Sequence, residues 1–586
     1  MKSKLLMTSM STIIGLYGIL ILFLLLIFTF MGISLNFLLL GSIIFLAIQF
    51  IVAPWITDWI MKVFYKAKFN TAMPDYLVAF ISDVCRQHNM KYPKIGYIDD
   101  GAPNAFTYGR TKNDARIILT RGVFELLTPE EVKTVVAHEM GHAVHYDMFF
   151  MTVAQMVPLV LRWIYEVTIR SASNNNNKNG GGYIAIIGLI AFILHVICQY
   201  VILWFSRTRE YFADEFAVQK TCNPSAMANA LVKIGYGLVT ANKEPDEQPI
   251  EEKSREQLIY EILAIYQEQG KQMNPEKLQK KSDKILQMTL RDLKNKKKVD
   301  ISSVSALGIF DSKSSSSLVV SSYNNGNMDA NSIKKAARWE LWNPWATWFE
   351  LHSTHPRISK RLKAIFKMSP YYNQQPFIVF DEQRPESYVD DFLIEVFIKF
   401  LPLLIIIITG GAIAYLSYNE SNTIVLTLGI GLLLLAVSSL IKLKRAYKQN
   451  YVPTNVATLL GEVKVSDVTC VPCVLKGTFI GRGTPGFIFS EDFVLRDETG
   501  IIFIDYKQPL SIMNLFFGLF KAKQYINKEV IIHGWYKRAP VPFVELYYMT
   551  VDGQQKKCYT YGFKKVWIGI LFALGAAVSI MSMGLI

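Results

Sequence analysis

No charged residue occurs between Leu5 and Thr57. A run of that length does not fold as an ordinary soluble core. A hydrocarbon layer about 30 Å thick is crossed by roughly 20 apolar residues rising about 1.5 Å each. The run therefore holds two membrane spans, near residues 11–30 and 35–53, joined by a Met-Gly-Ile-Ser turn. Lys2 and Lys4 give the basic start of a signal peptide, but the apolar stretch far exceeds an h-region of about 7–15 residues. It reads as an uncleaved anchor. Further apolar segments fall at about residues 148–169, 183–205, 400–417, 423–441 and 566–586. The first of these is impure, with Gln155, Pro158, Arg162 and Glu166, the last two spaced to pair on one helix face. Composition agrees with seven spans plus water-exposed parts: 51% of residues are hydrophobic and 19% are charged, where soluble chains carry about 25% charge.

The 62 Lys and Arg exceed the 48 Asp and Glu, for a formal net charge of +14. This charge collects in residues 58–147, 206–391 and 442–565, and the short loops between spans hold little of it. Cytoplasmic loops of membrane proteins gather Lys and Arg in this way. The expectation is a multi-pass cell-membrane protein with its amino terminus and three large segments in the cytosol, its carboxyl terminus outside, and no nucleic-acid partner. Six cysteines spread from Cys85 to Cys558 make no disulfide framework, and the isolated Cys470-Val-Pro-Cys473 pair is a weak metal or redox signal.

The water-exposed segments differ in texture. Residues 58–147 read as mixed α/β, with short strands at 104–109 and 115–120 around an Asn-Asp turn. Thr128-Pro-Glu-Glu131 is a capping box with Pro at the first helical position. Residues 246–332 form a long charged, then Ser- and Asn-rich, insertion that is expected to be flexible. Trp339, Trp342, Trp345 and Trp348 recur every three residues, either as a packing stripe near the bilayer or as a wall for an unfolded apolar substrate. Residues 452–551 carry about six turn-separated runs of β-formers, which suggests a small OB-like barrel, and its place between two spans favours a protein-interaction module with a possible protein partner or a membrane-proximal one.

The helix opened by the capping box runs into His138-Glu-Met-Gly-His142. Two histidines four apart on a helix point the same way, the spacing that holds one Zn²⁺ at about 2.0–2.1 Å from each ring. Glu139 is turned about 100° from His138 and reaches a water without being a ligand. A third ligand is still needed. The class with a third histidine six residues on is excluded, because Met148 stands there, and His145 lies too far along the helix from His138. Glu210 is the best candidate, in Ser206-Arg-Thr-Arg-Glu-Tyr-Phe-Ala-Asp214. Glu210 and Asp214 share a helix face, so one carboxylate can ligate while the other holds a histidine from behind. Glu210 follows one apolar segment by about the same rise, roughly 8 Å, as His142 precedes another, roughly 9 Å, if both helices leave the bilayer unbroken. Zinc would activate water and polarise a peptide carbonyl, Glu139 would serve as the base, and His355 and Arg361 in Ser353-Thr-His-Pro-Arg-Ile-Ser-Lys-Arg361 are the candidate oxyanion donors. His355 can equally be a helix cap.

These blocks, Pro103-Asn-Ala-Phe106, the 131–142 helix, 206–217 and 353–361, with spans between them, resemble the HtpX-type membrane zinc metalloproteases and, more distantly, the CAAX prenyl endopeptidases. The resemblance covers about residues 1–366. It implies a gluzincin-type α/β zinc protease core facing the cytosol within a mainly α membrane protein. His138, His142 and Glu210 would ligate one Zn²⁺, Glu139 would be the base, and Asp214 would support a ligand. His355 and Arg361 would stabilise the intermediate, and Asn104, Ala105 and Phe106 would form an edge strand pairing with extended substrate. The implied organisation is a hairpin anchor at 1–57, the protease unit at 58–368, a linker and hairpin at 369–450, the barrel at 452–551 and a last span at 566–586. The implied activity is cleavage of membrane or misfolded proteins in quality control and stress response. A CAAX-type processing protease and a non-catalytic membrane scaffold are the alternatives.

Overall fold

In the computed structural model, the structure describes residues 2–31, 48, 51–52, 54–69, 71–174, 181–240, 323–324, 327–328, 330–380, 383–418, 423–482 and 491–583. Among them, six helices are long and apolar enough to cross a membrane: Lys4–Ile27, Asp147–Ala172, Tyr183–Thr221, Val389–Tyr418, Ile424–Ala446 and Thr560–Ser582. Each contains or overlaps a segment expected from hydropathy. The other expected span, at 35–53, falls almost wholly outside the described residues, as does most of the insertion at 246–332. Arg162 and Glu166 pair at 3.0 Å on an exposed face. His195, within a span, lies with Nδ1 2.8 Å from the Pro158 carbonyl, so it bonds helix to helix and stands apart from the site chemistry.

The site rests on a small α/β layer. Strand Lys94–Ile98 runs parallel to Arg116–Thr120, and Ala105–Tyr108 pairs antiparallel with the latter at the sheet edge. Side chains alternate across such a sheet. Ile117, Leu119 and Ala105 face one cluster with Val132, Val135, Val136 and Met140 of helix Pro129–Val144. Ile118 and Phe106 face the other side. The capping box closes as expected: the Thr128 hydroxyl accepts from the Glu131 N–H, and the Thr128 N–H donates to the Glu131 carboxylate at 2.8 Å. Buried along most of its length, this motif helix then meets helix Gly181–Thr221 at Gly141. A Cβ there would lie 3.3 Å from Ala213 Cα and 3.2 Å from a Phe216 ring carbon. Glycine is what lets the two backbones approach so closely.

The motif helix does not continue into the next span, as the sequence reading assumed. It ends at His145, and Tyr146 adopts φ +59° before helix Asp147–Asn174 begins. That left-handed residue reverses the local direction of the chain.

The tryptophan stripe is not an exposed wall. Trp339 and Trp345 are buried. Trp339 Nε1 donates to the Val465 carbonyl, and Trp345 Nε1 donates to Glu395 at 2.6 Å. The stripe joins the helices before the site to the carboxyl-terminal part of the chain.

That part holds a closed five-stranded barrel. Val471–Arg482 pairs with Phe493–Arg496 and Glu529–Arg538, Phe493–Arg496 with Ile501–Asp505, and Glu529–Arg538 with Pro542–Val551. Ile501–Asp505 and Pro542–Val551 pair parallel and close the ring. The strand order is that of an OB-like barrel, with helix Ser511–Phe520 between the third and fourth strands. Two spans flank it, Ile424–Ala446 and Thr560–Ser582. The barrel also touches the protease side. Arg538 lies over the Trp339 ring at 4.5 Å and donates to the Leu460 and Ala336 carbonyls. Arg357 Nη1 donates to the Pro540 carbonyl at 3.2 Å. Cys470 and Cys473 sit buried, their thiols against the Arg445 and Gly534 carbonyls.

Candidate metal centre and active site

Helical spacing brings the two motif rings together. His138 Nε2 and His142 Nε2 stand 3.2 Å apart. The second helix, Gly181–Thr221, presents Glu210 to the same point: one carboxylate oxygen is 3.6 Å from His138 Nε2 and the other is 3.6 Å from His142 Nε2. These three residues form the cluster of possible metal ligands among the described residues. Four donors at about 2.0–2.1 Å from one tetrahedral Zn²⁺ stand about 3.3–3.4 Å from each other. The two rings and the carboxylate stand near that spacing, so the three residues fit one zinc ion.

Each ring is held from behind by a carboxylate. His138 Nδ1 lies 3.0 Å from Asp214 Oδ1, four residues beyond Glu210 on the same helix face. His142 Nδ1 lies 2.7 Å from Asp147 Oδ2. Such contacts fix the tautomer that aims Nε2 forward. Burial acts against charge on His138, but the bonds from Asp214 and Glu210 outweigh it and raise its pKa to about 9. For His142 burial dominates and lowers the pKa to about 4.

Asp147 was not among the residues singled out from the sequence. An ideal helix would place it about 140° away from His142. The break at Tyr146 swings it back beneath the ring. Two arginines were missed as well. Arg209 donates to Asp147, to the His145 carbonyl at 3.2 Å and to Ser9 of the first span at 3.0 Å. Arg207 donates to the Glu350 and Ser353 carbonyls at 2.7 and 2.8 Å and so holds the loop that carries His355. His145 caps the motif helix and packs its ring on Phe216, away from the ligand set.

His355 and Arg361 do reach the site, in different roles. His355 is buried, with Nδ1 3.1 Å from a Glu210 oxygen, while its Nε2 has no hydrogen-bond partner among the described residues. The helix beyond it begins at Ile358, later than Pro356, and Glu340 receives its first turn through the Ser359 N–H and hydroxyl. Arg361 is fully buried and grips Asp214 in a fork, Nε at 2.8 Å and Nη2 at 2.6 Å, with Nη1 3.5 Å from Glu210. In that geometry the guanidinium faces both carboxylates, Asp214 and Glu210.

Glu139 is the candidate base. Glu139 is buried, and Thr107 Oγ1 lies 2.8 Å from its Oε2 and 3.1 Å from its main-chain carbonyl. Thr107 belongs to the edge strand Ala105–Tyr108, and side-chain alternation puts it on the same face as Ala105, toward the motif helix. The Asn104 carbonyl accepts from the Thr120 N–H, so Asn104, Phe106 and Tyr108 are the residues bonded into the sheet. The main-chain groups of Ala105 and Thr107 then face the open edge. Asn104 Oδ1 meets the Ala105 N–H at 2.9 Å, and its buried Nδ2 has no partner among the described residues.

Replacing Thr107 with Val keeps the shape and removes the hydroxyl. We expect kcat to fall about 5- to 30-fold, the effect of roughly 1–2 kcal/mol of lost hydrogen bonding, with KM little changed and Thr107→Ser restoring most of the rate. Steady-state kinetics on a peptide substrate check this. An unchanged kcat for the Val form would mean that the hydroxyl does not position the base.

Residues 74–369 match peptidase family M48. The protease HtpX homolog of Methanothermobacter thermautotrophicus is 35% identical over 193 residues, 33% of this chain and 70% of that protein. Protease HtpX of Chromohalobacter salexigens is 29% identical over 230 residues, 37% of this chain and 75% of that protein. The crystal structure of S. mikatae Ste24p is 23% identical and covers 40% of this chain and 59% of its own, with a TM-score of 0.27, too low to equate the folds.

Proposed function

The chain belongs to peptidase family M48 and is a membrane-embedded metalloendopeptidase; we propose that its metal is one Zn²⁺ held by His138, His142 and Glu210, and that it cuts membrane or misfolded polypeptides at the cytosolic face in protein quality control. The observation that carries the metal assignment is the convergence of the two Nε2 atoms, 3.2 Å apart, on the Glu210 carboxylate, whose two oxygens each lie 3.6 Å from one ring. The positive charge of the large segments supports the cytosolic orientation. The protease unit is residues 58–368, and the barrel is residues 452–551.

When bound, Zn²⁺ supplies Lewis acidity, polarising the peptide carbonyl and easing water deprotonation. The chain's own groups do the rest. An extended substrate lies along the open edge at Asn104, Ala105 and Phe106 and bonds to the outward Ala105 carbonyl and the main-chain groups of Thr107. Asn104 Nδ2 offers it one further donor. Glu139 accepts the proton of the attacking water and passes it to the amine as the C–N bond breaks. Thr107 keeps the carboxylate aimed. His355, with Nδ1 beside Glu210, is the donor to the oxyanion through Nε2. Asp214, Asp147 and Arg361 act through the ligands as positioning residues.

Metal analysis of the purified full chain in detergent should return about one Zn²⁺ per protein, the number a single three-residue site holds. Chelation should abolish cleavage of an unfolded test protein, and added Zn²⁺ should restore it. Cleavage that survives complete metal removal would rule the assignment out. Cleavage confined to prenylated carboxyl-terminal peptides would favour a processing role.

A further inference from the structure

Helix Ser511–Phe520 has the sequence Ser-Ile-Met-Asn-Leu-Phe-Phe-Gly-Leu-Phe and follows Leu510. Only Phe517 and Gly518 are buried. The Phe517 ring stacks on Tyr506 with centroids 3.7 Å apart, and this plugs the end of the barrel. The remaining apolar side chains point outward: Ile512 is 58% exposed, Phe516 56% and Phe520 74%, with Leu510, Met513, Leu515 and Leu519 also exposed. Barrel packing needs one phenylalanine from this helix and leaves seven large apolar groups uncovered. Contiguous apolar surface of that kind marks a contact.

Three features identify what covers it. First, the root of the helix is clipped to the start of the last span. Thr560 Oγ1 donates to the Lys507 carbonyl at 2.6 Å, the Tyr559 N–H donates to Gln508 Oε1 at 3.1 Å, and Gln508 Nε2 donates to the Lys557 carbonyl at 3.0 Å. The Gln508 N–H in turn donates to Asn514 Oδ1 at 2.8 Å, which ties the helix's first turn to that root. Since Thr560 opens the candidate span Thr560–Ser582, the helix lies at the level where the chain enters lipid. Second, the barrel meets its two spans through clustered aromatics, Tyr447, Trp535 and Tyr561, with Tyr447 and Trp535 rings 4.7 Å apart. Trp and Tyr gather at the membrane–water boundary. Third, Lys521 and Lys523 follow the apolar face directly and are exposed, and Lys565 stands exposed near the start of the span. Such lysines suit anionic headgroups.

We propose that Ser511–Phe520 is an interfacial helix that embeds its exposed apolar face in the headgroup–acyl boundary of the leaflet from which Thr560–Ser582 departs, with an anionic phospholipid surface as its partner. The two spans tether the barrel, and the helix fixes its tilt, so the Pro540 hairpin is presented to Arg357 from a constant height.

The test uses the full chain in vesicles of neutral lipid with about one-third anionic lipid, in a Cys222→Ser background that removes the exposed native thiol. An environment-sensitive fluorophore is placed on Phe516→Cys and, as the water-exposed control, on Arg86→Cys. Lipid brominated near the headgroup should quench the Phe516 label at least about twofold, as an apolar face sunk roughly 5–10 Å requires. Aqueous iodide should quench it several-fold less than the control. In the Lys521→Glu, Lys523→Glu form the lipid quenching should fall. Iodide quenching equal to the control overturns the proposal. So does a label shielded from both quenchers that shows energy transfer between copies, because a second chain would then cover the face. Neither readout depends on proteolysis.

Discussion

Glu139→Gln should cut an unfolded protein about 10²–10⁴-fold more slowly than the parent chain, the usual contribution of a positioned general base. The amide keeps the size of the side chain and an oxygen for Thr107, whose hydroxyl lies 2.8 Å from Oε2 in the parent. It cannot take a proton from water at neutral pH. Glu139 is not one of the three converging donors, so zinc content should stay at the parent level. That split between metal and rate is the informative part. A parental rate would remove Glu139 from the chemistry. A lost rate with lost zinc would show that the site had merely collapsed. The inactive, metal-loaded form should also retain substrate, which makes it the natural bait for finding what the enzyme cuts.

Arg361→Leu should destabilise the site by about 3–5 kcal/mol, the typical cost of removing one partner of a buried ion pair. The guanidinium is fully buried and makes two bonds to Asp214 while lying 3.5 Å from Glu210. Without it, Asp214 retains His138 Nδ1 at 3.0 Å. The apo form should suffer most, since bound Zn²⁺ itself offsets part of the negative charge. Thermal unfolding in detergent, with and without metal, measures both. Arg361→Lys should recover less than half of the loss, because an ammonium cannot match the fork. A variant with parental stability and zinc affinity, yet slow turnover, would return Arg361 to the role of a donor to the reacting carbonyl.

The parts of this site that were legible in the sequence follow helical arithmetic. The 138–142 spacing, the capping box and the Glu210–Asp214 pair are all statements about residues three or four apart on one helix, and local periodicity survives folding. Asp147 was not legible, because its approach to His142 depends on one left-handed residue, Tyr146, and nothing about tyrosine announces φ +59°. Arg207 and Arg209 stood inside a quoted block, yet at the end of a span they read as ordinary boundary charge. Thr107 carried a signal that was overlooked: in a strand that alternates, it must share a face with Ala105 and so meet the motif helix. The tryptophan stripe was recognised as a stripe, but its cover comes from residues more than a hundred positions later, Val465 and Arg538, which no local pattern supplies. The barrel's strands were readable from β-forming runs, whereas its closure by a parallel pair was not.

Helix Gly181–Thr221 is 41 residues without interruption, a rod about 60 Å long that begins among lipid and ends in the protease layer. The same rod carries Glu210 of the candidate metal cluster and, one turn on, Asp214, which lies 3.0 Å from His138. A stiff lever transmits tilt. A thicker or thinner bilayer changes how far such a helix leans. One wall of the three-residue cluster stands on this membrane-entering rod and the other on the sheet-backed motif helix, packed against it at Gly141.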